Sequence, residues 1–181
     1  MELNLRKKKV LIVGASKGIG RGIVNGFAKE NTNLVIVART EDLLQEVQKE
    51  ALENGAATCA YVVEDIMDCD TKVFANKLLT QYGDFDVVVH NVGGSLVSRN
   101  HLAGAEDWEY ALKFNALASI DMNSVLIPPM IEKGYGRVIH ISSISAVMLR
   151  GNPLYASAKA FLNAYVTTVG RQLAPTGVLL C

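Results

Sequence analysis

The chain carries no net charge, its 18 lysines and arginines being matched by 18 aspartates and glutamates. No overall field therefore draws it to nucleic acid or to an anionic membrane. The basic run Arg6 to Lys9 leads straight into an apolar segment and reads as the solvated approach to a strand. Cysteine is scarce: Cys59, Cys69 and Cys181 are scattered, odd in number and without metal-ligand spacing, which implies reduced thiols in a cytoplasmic protein. His101 and His140 likewise lack partners at metal-ligating intervals. Long hydrophobic runs are missing too. The first apolar segment starts at Val10 and is interrupted by Gly14, too short for a signal peptide or a membrane span. Repeats, low-complexity tracts and linkers are absent, so residues 1–181 are read as a single domain, with half of them hydrophobic and a fifth charged.

What is present is an alternation of two patterns. Val10–Val13, Leu34–Val37, Thr58–Val63, Asp86–Val89 and Arg137–Ile141 are short apolar runs, as in strands buried on both faces. Between them lie helical periodicities over Gly18–Lys29, Glu41–Glu53, Thr71–Tyr82 and Glu106–Met130, with a last one over Tyr155–Leu173. Pro128, Pro129 and Gly134 mark the end of the long helical stretch. Trp108 and Tyr110, near its start, are assigned to the core or an interface. This order specifies an α/β, doubly wound parallel sheet of the Rossmann kind. Val178 to Cys181 reads as the opening of a sixth strand, so the fold is expected to be C-terminally incomplete, and the chain as it stands a marginally stable, poor catalyst.

Gly14-Ala15-Ser16-Lys17-Gly18-Ile19-Gly20 joins the first strand to the first helix. Glycines there permit a tight turn and let a pyrophosphate reach backbone N–H groups at a helix N-terminus, although close packing alone would also use them. The spacing Gly-x-x-x-Gly-x-Gly differs from the usual dinucleotide fingerprint. After the second strand stands Arg39 rather than an acid, and Lys17 adds a cation on the same side. With no competing carboxylate before Glu41, the pair favours NADP(H) over NAD(H).

Tyr155 and Lys159 are four residues apart and share a helix face. A nearby ammonium favours the phenolate and brings a tyrosine toward a useful pKa. The motif is weak alone, but it follows Ser142-Ser143 and the glycine loop. Together with Asp65 after the third strand, His90-Asn91-Val92-Gly93 after the fourth and Asn115 in the long helix, this series resembles the short-chain dehydrogenase/reductase family over essentially the whole chain.

The resemblance implies an oxidoreductase moving a hydride between NADP(H) and a ketone or secondary alcohol. It implies Tyr155 as proton donor or acceptor, Ser143 as hydrogen-bond donor to the substrate oxygen, Lys159 as modulator of Tyr155 and ligand of the nicotinamide ribose, and Asn115 as holder of a relay water. Gly14, Ser16, Lys17, Gly18, Ile19, Gly20, Arg39, Asp65, Ile66, Asn91 and Gly93, with Tyr155 and Lys159, are the implied cofactor contacts, and no metal is implied. His90 departs from the common Asn and is assigned a structural hydrogen bond. The family's next strand, Pro-Gly turn and substrate loop do not follow Cys181 here. Ser142 is expected to point away from Ser143. Leu96, Val97, Ala146, Val147 and Met148 suit a hydrophobic or 3-oxoacyl-type carbonyl. Leu117, Ile120, Val125, Phe161, Leu162 and Tyr165 suggest a homodimer or homotetramer. The competing reading is a non-catalytic NADP(H)-binding module or truncated partner subunit, which loss of the tyrosine or lysine would favour.

Overall fold

The computed structural model describes residues 3–95 and 102–181. Leu96, Val97 and His101 lie outside the described residues. Strands β1 (Lys9–Val13), β2 (Asn33–Ala38), β3 (Thr58–Val63), β4 (Val87–His90), β5 (Gly136–His140) and β6 (Val178–Leu180) form one parallel sheet in the order β3-β2-β1-β4-β5-β6. Val, Ile and Leu fill β1, and they alternate between two cores. Leu11 and Val13 face one core, Val10 and Ile12 the other. Each face therefore needs its own helical cover. Helices α1 (Gly18–Lys29) and α2 (Glu41–Glu53) supply Val24, Ala28, Leu44 and Val47 to the second core. Helices α3 (Thr71–Tyr82), α5 (Ala118–Lys133) and α7 (Pro153–Leu173) cover the first, with α4 (Ala105–Leu112) preceding α5 and the short α6 (Ser145–Met148) preceding α7.

The long helical stretch is not uniform. A π turn over Lys113–Leu117 separates α4 from α5, a local widening common at functional sites. Helix α5 then runs through Pro128 and Pro129 and stops only at Gly134, whose left-handed φ of 69° closes it. Of the three expected end signals the prolines do not terminate the helix, and Gly134 does. An interior proline costs about 3 kcal/mol or more. Burial of Leu126, Ile127 and Met130 against the sheet offsets it, each such side chain contributing about 1.5–3 kcal/mol. Trp108 and Tyr110 are well exposed rather than core, with Tyr110 stacked on Phe114. Of the residues expected to face a partner subunit, Leu162 is buried, Val125 and Tyr165 pack on the first core and Ile120 is half-buried, leaving Leu117 and Phe161 exposed. Strand β6 forms as the sequence suggested, with Val178 and Leu180 inward and Leu179 exposed.

Candidate active site

The strand order reverses between β1 and β4, so their C-terminal ends open a crevice, the place where doubly wound sheets receive ligands. A cavity of about 240 Å3 lies there, lined among others by Gly14, Ser16, Arg39, Asp65, Asn91 and Gly93. Glu64, Val92 and Phe114, not singled out from the sequence, line it as well. The glycine loop is built for close approach. A Cβ on Gly20 would stand 2.0 Å from the Gly14 carbonyl oxygen, so no side chain fits there. That oxygen accepts a 2.9 Å hydrogen bond from Asn91 Nδ2, which ties the loop after β1 to the loop after β4. Lys17 occupies the N-cap of α1 in extended conformation, makes no capping bond, and no acid stands in the first turn. By contrast, Asp70 caps α3 with its carboxylate. The α1 N-terminus is thus without a side-chain cap, as an anion site requires. Ile19 is two-thirds exposed beside it. These features fit the pyrophosphate of a dinucleotide.

Arg39 does have a competing acid: its Nη1 lies 3.5 Å from Asp65 Oδ2. The other Asp65 oxygen accepts from the Met67 amide. Strand separation in sequence concealed this pair, because β2 and β3 end side by side in parallel register. Ile66 is buried beneath the same rim.

On the other side of the crevice, β4 and β5 end at His90 and His140. Gly93, at φ 152°, lies where a Cβ would be 2.8 Å from Asn115 Oδ1 and 2.9 Å from Lys159 Nζ. Only a glycine lets these three groups meet. Asn115 is buried in the π turn, and its carboxamide accepts from Gly94 N and donates to the Gly94 and Ala111 carbonyls, which fixes the turn after β4. Lys159 is buried as well, donating to the Ile141 carbonyl at 2.8 Å. Burial pushes its ammonium down to about 8. Tyr155 stands in the first turn of α7, which Asn152 caps through the amides of Leu154 and Tyr155. It lines a cleft of about 600 Å3 together with Ser95, Ser145, Gly151, Asn152 and Pro153. Ser143 Oγ accepts from the Ser145 amide, while Ser142 bonds Asn163. Beyond Ser143, Ile144, Val147, Met148 and Leu149 are all more than half exposed, and Ala146 is buried.

Sequence reasoning missed a buried polar group behind this site. His90 Nε2 lies 2.9 Å from Asn123 Oδ1, and Asn123 Nδ2 lies 3.0 Å from His140 Nε2 and 3.2 Å from the Tyr165 hydroxyl. The imidazoles stack with centroids 4.7 Å apart. Burial holds His90 down at about 4, against the Asn123 hydrogen bond. Burial, with His90 and Lys159 nearby, holds His140 at about 2. His90 was expected to serve structure, but no spacing linked it to residues on three other elements.

Comparison with known proteins agrees with this architecture. A family model described as short chain dehydrogenase matches residues 8–180. An uncharacterised oxidoreductase of Staphylococcus saprophyticus is 27% identical over 97% of this chain and 76% of the relative. The 3-oxoacyl-(acyl-carrier-protein) reductase FabG of Chlamydia muridarum is 29% identical over 93% of this chain and 69% of its own length. The crystal structure of L-sorbose reductase from Gluconobacter frateurii, complexed with NADPH and L-sorbose, superimposes with a TM-score of 0.90 at 28% identity, covering 98% of this chain and 68% of that one.

Proposed function

The chain belongs to the short chain dehydrogenase family of oxidoreductases, and from that membership we propose that it reduces a ketone with NADPH, or oxidises the corresponding secondary alcohol. The observation that carries this reading is the convergence of the buried Asn115 and Lys159 on Gly93, which lines the crevice, with Lys159 on the helix that also bears Tyr155. The nicotinamide cofactor, when bound, supplies or takes up the hydride. Gly14, Ser16, Gly18, Ile19 and Gly20 hold its pyrophosphate at the α1 N-terminus, Asp65 and Ile66 line the adenine end, and Asn91 and Gly93 line the groove. Tyr155 moves a proton to the substrate oxygen, and Ser143 donates a hydrogen bond to that oxygen as its charge develops. Lys159 places a cation near the phenol and holds the nicotinamide ribose, while Asn115 keeps the Gly94 turn in place and holds a relay water.

Arg39, exposed at the rim, is the residue that receives the 2′-phosphate of NADP(H), with Lys17 from the glycine loop. Asp65 draws Arg39 away from that duty, so the preference for NADP(H) is modest. The apolar residues Ile144, Val147 and Met148, exposed just beyond Ser143, favour a hydrophobic or 3-oxoacyl-type substrate. Likeness to the 3-oxoacyl reductase points the same way. Exposed Leu117 and Phe161 support self-association into a homodimer or homotetramer, and the unpaired thiols support a cytoplasmic protein. Among the described residues no helix is long and apolar enough to cross a membrane.

The test is loss of NADPH absorbance with ethyl acetoacetate and an acetoacetyl thioester as substrates. Tyr155→Phe is expected to abolish turnover while NADPH still binds. Residual activity within about tenfold of the parent would mean that another group carries the proton.

A further inference from the structure

We propose that Asn123 is a positioning residue of the active site: its carboxamide, held between the imidazoles of His90 and His140 and the hydroxyl of Tyr165, fixes the strand ends from which the Gly93 turn and the Lys159 ammonium are hung. The proposal rests on the oxidoreductase reading above.

The geometry forms one directed chain. An amide nitrogen can only donate, so His140 Nε2 must accept from Asn123 Nδ2, and the Tyr165 oxygen accepts from the same group. The amide oxygen can only accept, so His90 Nε2 carries a proton and donates it. With His140 Nε2 an acceptor, its proton stands on Nδ1, which faces Ser119 Oγ at 3.4 Å. The Ser119 hydroxyl in turn donates to the Ala116 carbonyl, inside the π turn that carries Asn115. Each link sets the direction of the next. A half-satisfied network at this burial costs more than an apolar filling, so the chain holds only as a whole.

Its two strand-borne members are each one residue from the site. His140 precedes Ile141, whose carbonyl receives the Lys159 ammonium. His90 precedes Asn91, which bonds the Gly14 carbonyl. The two ends are bonded to one another as well, Ile141 N–H donating to the His90 carbonyl at 3.0 Å. A shift of either imidazole therefore moves the atoms that orient Lys159 and Gly93. His140 must be neutral, and burial disfavours a charge on His90. A second proton on His140 would face the Asn123 NH2 group, and rotating the amide to accept it would set that group against the His90 N–H. The other groups facing the pair are Tyr165 and Lys159 on α7, and the lysine cation disfavours charge on His140. Catalysis is sensitive to such placement, because a displacement of about 1 Å can cost about a hundredfold in rate.

The experiment uses Asn123→Leu, near in size and without polar atoms. The titration of Lys159 is followed by 13C NMR in protein carrying ε-13C lysine, a readout that needs no turnover. Alongside it, kcat and KM are measured for NADPH-dependent reduction of ethyl acetoacetate, and circular dichroism reports the fold. The Lys159 midpoint is expected to rise by about one pH unit toward an ordinary lysine, as water reaches the loosened Ile141 carbonyl. The kcat should fall by about tenfold while KM for NADPH changes by less than about threefold. His90→Gln, whose Nε2 can take the place of the imidazole Nε2 as donor to Asn123 Oδ1, should lose less kcat and shift the Lys159 midpoint by less than Asn123→Leu does. A folded Asn123→Leu with parental kcat and parental Lys159 titration overturns the proposal. If Asn123→Leu does not fold, Ser119→Ala and Tyr165→Phe decide it. Both should shift the Lys159 midpoint in the same direction by less, and no shift in either overturns it. A parent inert toward ethyl acetoacetate counts against the substrate reading alone, and the NMR measurement still settles the role of Asn123.

Discussion

Acid should destabilise this protein through His90 and His140. Burial holds the two rings at about 4 and about 2 in the folded chain, against about 6.5 in an unfolded one. Below pH 6.5 the unfolded chain therefore binds protons that the folded chain refuses. The stability is complete above that value and is lost as pH falls toward the folded values, at about 1.4 kcal/mol per pH unit for each ring. At pH 5 the loss reaches about 2 kcal/mol per ring, or about 4 kcal/mol for both. That is a large share of a typical domain stability of about 5–15 kcal/mol. Urea unfolding, followed by circular dichroism at about pH 7.5 and about pH 5, measures the loss directly. The comparison is His90→Gln combined with His140→Phe, which keeps a donor to Asn123 Oδ1 and an aromatic ring beside Tyr165 but removes both titrations. This variant starts less stable and should lose about 4 kcal/mol less than the parent over the same interval. Equal losses in the two proteins would refute the reasoning, since the protons would then be taken up elsewhere.

Gly20→Ala should abolish NADPH binding and destabilise the fold by about 3 kcal/mol, because its Cβ has nowhere to go beside the Gly14 carbonyl. Isothermal titration with unfolding curves checks both effects, and parental affinity would show that the loop can open. Asp65→Asn frees Arg39 and should raise the NADPH-over-NADH affinity ratio by at most about fivefold, the scale of an exposed ion pair near 1 kcal/mol. An unchanged ratio in cofactor titrations would mean that Arg39 is not the phosphate ligand. Light scattering should show a dimer or larger assembly at micromolar concentration, and Leu117→Glu with Phe161→Glu should shift it toward monomer. A parent that is monomeric throughout would remove the proposed interface.

Local pattern alone carried a good deal of this protein. Runs such as Val10–Val13, apolar at every position and closed by a glycine, read as strands covered on both faces and form as β1, and Gly18–Lys29 and Thr71–Tyr82 form over the ranges their periodicity implies. The glycine loop and the pair Tyr155 and Lys159 stand out in the sequence because each motif is contiguous or lies within a turn of one helix. The failures have a common cause. Whether a helix survives Pro128 and Pro129 depends on what Leu126, Ile127 and Met130 bury against, which is a matter of the whole fold. Arg39 meets Asp65 only because β2 and β3 run parallel in register, and the sequence holds those residues 26 apart. The group of His90, Asn123, His140 and Tyr165 draws one residue from each of four elements, so no spacing could announce it. Sequence sets which residues are apolar and where the chain can turn. Tertiary packing alone decides which polar groups must be buried together, because a buried donor or acceptor takes its partner from whatever element the fold brings within hydrogen-bonding distance.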